Sequence, residues 1–380
     1  MGFDLARPRR IPGLWHRVAV HQQPAGPHRS AAGSTLDEVS RGRPPKPRAP
    51  RAELDFSANC SPARLREVEA VVEWWNSGSA TYSLPTSGST GTPKELVFER
   101  RHIEASARAT LDFFGLKEDM RSPLLLSAQT AGGFMMVVRA LMAGLKLDVL
   151  PVERRPATRP GLRYDFVALV PEQAAALAAD PQFNPKDYRC TLLGGADVRP
   201  ELEATLAGWP RPVFHGYGMT ETLSHVALRQ LGGGRRYTGL PGVIFAQKGE
   251  ALVVDDPERG VRGLVTTDAA KVISYREFEW LGRLDGAVVS AGKKIFPEVV
   301  EAASGSEGVA VGVPDPQWGQ MLVWVGAPGF DPNRIVLKWE ALPSWQRPKH
   351  VLEHAIPYLA SGKPDRQAVA RWAAHELALR

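Results

Sequence analysis

The stretch Leu84-Pro85-Thr86-Ser87-Gly88-Ser89-Thr90-Gly91-Thr92-Pro93-Lys94 decides how this chain is read. Glycines let backbone N–H groups turn inward around an anion, Ser and Thr hydroxyls add donors, and the closing lysine adds a mobile positive charge. Such a loop suits a polyphosphate and makes an ATP-using enzyme the first expectation. It is not a Walker loop. That pattern opens a helix with Gly-Lys-Ser/Thr, whereas Lys94 is followed by Glu95-Leu96-Val97-Phe98, which reads as a strand. The phosphate grip must then come from the loop itself. Taken alone, the same residues also suit a Ser/Gly surface turn.

The 380 residues are enough for more than one core, and 43% hydrophobic residues with 10 Trp can fill them. Cys60 and Cys190 have neither metal spacing nor a disulfide pattern. No apolar run is long enough to span a bilayer and no signal-peptide core precedes the domain, so a cytoplasmic enzyme without an integral membrane segment is expected. Net charge is +6, but residues 1–51 alone carry +7, so the remainder is near neutral and no nucleic-acid partner is expected. That leader is rich in Pro, Gly, Ala and Ser and cannot bury enough apolar surface to offset the entropy of ordering. A weakly ordered extension over 1–50 is expected, with residues 11–20 as a short docking element.

Beyond the leader, helical and strand patterns alternate. Ile103, Ala107, Leu111 and Phe114 recur at helical spacing, and a second helix is predicted over 133–143. Strands are predicted over 122–127, 147–150, 166–170 and 191–193, which points to a layered α/β domain with a mostly parallel sheet. Gly239-Leu240-Pro241-Gly242 marks a change of pattern, after which 251–254 and 263–266 read as hairpin strands of an appended β subdomain. No internal repeat is visible.

The phosphate loop is followed by Gly216-Tyr217-Gly218-Met219-Thr220-Glu221-Thr222, Thr266-Thr267-Asp268, Gly282-Arg283-Leu284-Asp285, Ser290-Ala291-Gly292-Lys293-Lys294-Ile295-Phe296-Pro297 and Ser361-Gly362-Lys363-Pro364-Asp365-Arg366. In composition and order these resemble the motif series of the adenylate-forming enzymes, the superfamily of acyl-CoA synthetases, luciferases and nonribosomal adenylation domains. The resemblance covers residues 81–366. It implies a large AMP-binding domain over 51–284 and a small mobile α+β lid over 285–380, hinged at Asp285. It also implies two steps, in which a carboxylate attacks the α-phosphate of ATP and a thiol then displaces AMP.

The resemblance implies roles residue by residue. Thr86, Ser87, Gly88, Ser89, Thr90, Gly91 and Lys94 would form the pyrophosphate loop. Tyr217 would lie on adenine within Tyr217-Gly218-Met219, Thr220 would bond the α-phosphate, and Glu221 would hold Mg²⁺. Asp268 has the acceptor chemistry for both ribose hydroxyls, and Arg283 would sit beside the ribose. Gly194-Gly195-Ala196 would be a turn packed against nucleotide and acyl group. Lys363 would supply the cation that adenylation needs, and the missing side chain of Gly292 would leave room for the pantetheine arm of CoA.

The compact length, with Ala131-Gly132-Gly133-Phe134-Met135-Met136-Val137-Val138-Arg139, Ala168-Leu169-Val170-Pro171-Glu172-Gln173 and Tyr217 through His225, resembles the o-succinylbenzoate–CoA ligases of menaquinone synthesis. Their substrate carries a second carboxylate, which needs donors when buried. Ser224 and His225 are the first candidates, with Gln173 and Arg139 behind them, although Arg139 equally fits a helix end emerging from an apolar run. Phe134, Met135 and Met136 could wall the ring or be plain core. Thr267, Val289, Ala291 and Pro364 depart from the superfamily pattern, Ala291 standing where glycine is frequent. Three readings stand: this ligase, a ligase or stand-alone adenylating enzyme for another acid, and a non-catalytic AMP-binding relative. A homodimer is compatible with the family.

Overall fold

The computed structural model describes residues 15–20, 52–86, 94–157, 159, 161–304, 308–358 and 364–379. They divide into two compact units, Met1–Val152 with Ala157–Val167, and Glu153–Pro156 with Ala168–Arg380.

In the first unit, β1 (Trp15–Val20) pairs antiparallel with β2 (Ala52–Ser57), placing a strand where the short docking element was expected. Ser61 then caps α1 (Pro62–Ser77) by accepting from the Arg64 N–H, proline occupies the first turn, and Gly78 ends the helix in the left-handed region. A hairpin follows, β3 (Thr81–Thr86) with β4 (Lys94–Glu99), whose last pair is Thr86 opposite Lys94. The ends of the phosphate loop are thereby held face to face; Ser87, Gly88, Ser89, Thr90 and Gly91 lie outside the described residues.

Next come α2 (Arg100–Phe114), β5 (Arg121–Leu124), α3 (Ala131–Ala143) and β6 (Lys146–Val149). β6 lies between β2 and β5 and is parallel to both. The predicted strand over 122–127 stops at Leu124 because the chain turns at Ser127, whose carbonyl accepts from the Thr130 N–H at 3.1 Å. Buried Arg64 bonds this end of the sheet: its Nε donates to the Leu150 carbonyl at 3.1 Å and its Nη2 to the Leu124 carbonyl at 3.0 Å. Its ion-pair partner Glu67 accepts from the Ser127 hydroxyl at 3.0 Å and the Ala128 N–H at 3.1 Å, which fixes the turn before α3.

The second unit carries a nine-stranded sheet. Its elements are β7 (Val167–Leu169), α4 (Pro171–Ala178), β8 (Thr191–Leu193), α5 (Pro200–Ala207), β9 (Val213–Met219), β10 (Ser224–Gln230), β11 (Arg236–Gly239), β12 (Ile244–Lys248), β13 (Ala251–Asp256), β14 (Val261–Ser274) and β15 (Glu277–Arg283). Strand order is β12-β13-β14-β15-β11-β10-β9-β8-β7. The mostly parallel pairing expected of the strands up to residue 193 is seen in β5 with β6 of the first unit and in β8 with β9 here, and it ends beyond β9. β8 and β9 run parallel, across the α5 crossover, but β10 to β15 pair antiparallel. Their short connections cannot carry a parallel crossover, which takes a dozen or more residues. The α/β class stands, and the expected hairpin strands fall within β13 and β14.

A second sheet in this unit is built from β16 (Val288–Ser290), β17 (Lys293–Ile295), β18 (Gly308–Asp315), β19 (Gly319–Gly326) and β20 (His350–Glu353), with α6 (Pro297–Ser304), α7 (Pro332–Lys338) and α8 (Arg366–Ala378). Strand alternation sorts two apolar faces: Val309, Val311, Val313, Val323 and Val325 pack with Val369 and Ala373 of α8, while Ala310, Leu322 and Trp324 pack with Val300 and Ile335. Glu298 of α6, which packs on β15, is 9% exposed, and burial pushes its carboxyl up to about 7 against the pull of Arg366 at 3.8 Å. Arg366 itself forks onto Glu301 at 2.5 and 2.7 Å. Among the described residues no helix is long and apolar enough to cross a membrane.

The turn from β16 to β17 consists of Ala291 at φ +50° and Gly292 at φ +74°, with Ser290 paired to Lys293. Two positive-φ residues make a tight hairpin turn, and a side chain at the first costs about 1 kcal/mol. Ala291→Gly is expected to raise the thermal midpoint by the equivalent of about 1 kcal/mol. An unchanged or lower midpoint contradicts the strain assigned to this alanine.

Candidate active site

Within the second unit, the motif from Tyr217 to Thr222 lies at the β9–β10 reversal. A Cβ at Gly218 would overlap the Ser224 carbonyl oxygen, so only glycine lets the two strands approach this closely. In register, Met219 faces Ser224 and Gly218 faces His225, which sets the candidate acid-binding pair beside the adenine motif. Thr220, Glu221 and Thr222 form a single 3-10 turn between the strands. Thr222 holds it, accepting from the Met219 N–H at 2.9 Å and lying 2.7 Å from the Ser224 carbonyl. Leu223 and Ser224 take φ of +57° and +119°, a strained reversal for two residues with side chains. Glu221 is exposed and half-buried Thr220 precedes it. The Ser224 hydroxyl lies 3.2 Å from His225 Nδ1, and the His225 ring is buried.

Tyr217 points into the sheet's aromatic layer, edge-on to Phe278 at 4.9 Å and to Tyr237 at 6.0 Å. Its hydroxyl donates to Asp268 Oδ2 at 2.7 Å. Burial, then the Asp268 charge, hold that phenol well above its usual value, so it remains a donor. The other oxygen, Asp268 Oδ1, accepts from the Trp280 indole N–H at 3.2 Å and lies 3.9 Å from Arg283. β14 and β15 pair Asp268 directly with Arg283. Each carboxylate oxygen retains a lone pair beyond these partners, so two adjacent acceptors suit a vicinal diol. Arg283 forks onto Asp285 at 3.0 and 2.7 Å, which holds that carboxyl below the usual range.

Gly194-Gly195-Ala196 follows β8, with the Gly194 N–H donating to the Leu169 carbonyl at 3.0 Å and Gly195 at φ +83°. The Ala196 carbonyl lies 2.9 Å from Nε2 of His215, a residue outside the motif series. His215 Nδ1 lies 2.7 Å from the Tyr237 hydroxyl, which in turn accepts from Arg229 Nε at 3.3 Å. Arg229 forks onto Glu203 of α5 at 2.6 and 2.9 Å. Burial first, and then the Arg229 charge, lower His215 to about 4. A period-two signal was available: His215 and Tyr217 share one face of β9. Tyr237 and Trp280, distant in sequence, gave none.

Gln173, Phe134 and Arg139 are buried. Gln173, proposed as a donor to substrate, closes the start of α4, accepting from the Val170 N–H at 3.2 Å and donating to the Glu153 carbonyl at 3.0 Å. Within the first unit, Phe134 is fully buried, stacked on Tyr82 at 4.4 Å, and Met135 and Met136 are core. Arg139 does not emerge at a helix end; it is 1% exposed within α3, and burial lowers it to about 9. Nothing within 4 Å would meet a Cβ at Gly292. Lys363 lies outside the described residues. Among the described residues no cluster of three or more His, Cys, Asp or Glu side chains could hold a metal alone. Glu221, an exposed oxygen donor, fits a hard cation whose remaining ligands are phosphate and water.

A model of AMP-binding enzymes matches residues 21–268. The chain belongs to the AMP-binding enzyme family. It is 25% identical over 323 residues to a 2-succinylbenzoate–CoA ligase of Staphylococcus aureus (strain bovine RF122 / ET3-1), covering 75% of this chain and 66% of that protein. The chain thus spans just under two thirds of that relative's length. Among solved structures it resembles an acyl-CoA synthetase (AMP-forming)/AMP-acid ligase II-like protein from Dyadobacter fermentans DSM 18053, with TM-score 0.56, 27% identity, and 83% and 95% of the two chains covered. It shares its fold with o-succinylbenzoate CoA synthetase (MenE) from Bacillus subtilis in complex with the acyl-adenylate OSB-AMP, with TM-score 0.63, 20% identity, and 76% and 68% covered.

Two measurements check the geometry. Gly218→Ala is expected to destabilise the second unit by more than about 2 kcal/mol through overlap with the Ser224 carbonyl; a shift under about 0.5 kcal/mol contradicts it. Stability should also fall in acid. His215 takes a proton at about 4 when folded and at about 6.5 when unfolded. Its stabilising contribution is therefore complete above about 6.5 and is lost as pH falls through that window, on the order of 3 kcal/mol. Thermal midpoints against pH should be flatter between pH 6.5 and 4 in His215→Gln than in the parent; parallel curves contradict the assignment.

Proposed function

We propose that this protein activates a carboxylic acid with ATP as an acyl-adenylate and then passes the acyl group to CoA, with o-succinylbenzoate as the preferred acid. The observation that carries the reading is the assembly of Tyr217, Asp268 and Arg283 at one end of the β14–β15 pair, beside the Thr220-Glu221 turn. In the first step a carboxylate oxygen bonds to the α-phosphorus as the bond to pyrophosphate breaks. In the second, a thiolate attacks the acyl carbon and AMP leaves.

Asp268 would take the ribose hydroxyls, Tyr217 would border the adenine, and Thr220 would donate to the α-phosphate. Glu221 would hold Mg²⁺, which when bound neutralises phosphate charge. Thr86, Lys94 and the loop between them would cradle the pyrophosphate. Lys363 would stand between carboxylate and phosphate, where negative charge gathers in the transition state. Residues 285–380 would act as a lid turning about Asp285, and the Arg283–Asp285 fork at this joint supports that placement. Ser224 and His225 are the groups we assign to the second carboxylate of the substrate.

A second reading, the same chemistry on another acid, is favoured by the likeness to the Dyadobacter protein, 95% of which is covered. The test is pyrophosphate release with ATP, Mg²⁺ and a panel of acids, with and without CoA, followed by mass analysis. An o-succinylbenzoyl thioester is the expected product. A thioester of another acid selects the second reading, and no turnover with any acid overturns both. Lys363→Ala should lower adenylate formation by at least about a hundredfold with an unchanged melting curve; undiminished adenylation contradicts its role.

A further inference from the structure

The hydrogen bonds between α5 and the Gly194-Gly195-Ala196 turn have a single allowed proton order. Arg229 is always a donor, so its Nε–H bond at 3.3 Å uses the Tyr237 oxygen as acceptor. The Ala196 carbonyl at the other end can only accept, so the His215 nitrogen facing it is the donor, and in a neutral ring Nδ1 then accepts the Tyr237 hydroxyl hydrogen at 2.7 Å. With Nδ1 accepting, neutral His215 carries its proton on Nε2 and donates it to the Ala196 carbonyl at 2.9 Å. Glu203 anchors the series, accepting two bonds from the Arg229 guanidinium. His215, Arg229 and Tyr237 are each less than 9% exposed, so water cannot readily replace a missing partner.

We infer that His215 is a positioning residue for the ligand site, held between the Ala196 carbonyl and the Arg229-backed Tyr237 hydroxyl in the one tautomer that supports the Ala196 turn. The inference rests on the proposed function for the meaning of that turn as a wall of the site. It adds a group outside the motif series and assigns the charged pair Arg229–Glu203 a task beyond packing. A histidine free to choose either tautomer could turn an acceptor toward the Ala196 carbonyl and repel it. The Tyr237 hydroxyl, with its oxygen engaged by Arg229, offers its hydrogen to Nδ1 and so favours the tautomer the carbonyl needs.

The variants are His215→Leu, which loses both bonds, His215→Gln, which can accept from Tyr237 and donate to Ala196, and Tyr237→Phe, which loses the ordering link. All are tested as full-length protein by melting curve, by calorimetric titration with AMP and by pyrophosphate release. Loss of one well-made bond corresponds to about tenfold. We expect His215→Leu to weaken AMP binding about tenfold and to raise KM for ATP more than it lowers kcat. Glutamine should restore binding to within about threefold, and Tyr237→Phe should fall between.

Nitrogen NMR of imidazole-labelled protein reads the tautomer directly and needs no substrate. A neutral Nε2–H ring in the parent that loses this single form in Tyr237→Phe supports the order. Mixed tautomers in the parent overturn it. Unchanged AMP affinity in a folded His215→Leu variant overturns the positioning role, leaving histidine as core. If the parent binds AMP but turns over no acid, the proposed function fails while the inference is still decided by the binding and NMR arms. If the parent does not bind AMP, both are overturned.

Discussion

The closeness of β9 and β10 at Gly218 is the constraint on which the second unit depends. Without a side chain there, the two strands approach until the Ser224 carbonyl covers the Gly218 Cα, and the connection shrinks to one turn of 3-10 helix. Motif residues then occupy the rim of a sheet whose interior is already filled by Tyr217, Tyr237, Phe245 and Phe278. The rim is polar and its floor is aromatic. Precision at the rim comes from that floor, because interlocked rings leave little room for the strands to slide.

Polar groups in this floor obey the same rule as the apolar ones: each is fixed by a neighbour. Asp268 is held by a phenol on one oxygen and an indole on the other. His215 is held by a hydroxyl on one nitrogen and a carbonyl near the other. Burying such groups unsatisfied would cost several kcal/mol, so their mutual arrangement is specified as tightly as the packing. The Arg64–Glu67 pair follows the same logic in the first unit, answering the strand-end carbonyls of Leu124 and Leu150 and the turn at Ser127.

The order of motifs made the fold class legible, since a glycine-rich loop followed by β9, β14 and β15 signatures gives the elements and their sequence. Strand direction was not legible beyond β9. Period-two patterning is the same for parallel and antiparallel neighbours, and the decision fell to connection lengths such as the single turn at Thr220. Tyr217, Asp268 and Arg283 could be nominated because each sits in a motif. Gln173, Phe134 and Arg139 were nominated from local composition, which does not show which side of a helix meets a neighbour; all three are buried, Gln173 closing the start of α4. His215 and Tyr237 escaped notice for the opposite reason: neither belongs to a motif, and they are 22 residues apart.

Glu298 introduces a different kind of coupling. Burial, with α6 lying against β15, pushes its carboxyl up to about 7. Drawn apart from that strand, it would meet water and ionise like any glutamate, near 4.3. Separation of α6 from β15 is therefore also an acid dissociation, releasing a proton to solvent, and the contact is held more firmly in mildly acidic than in mildly alkaline medium. Hydronium is in this sense a ligand of the α6–β15 contact.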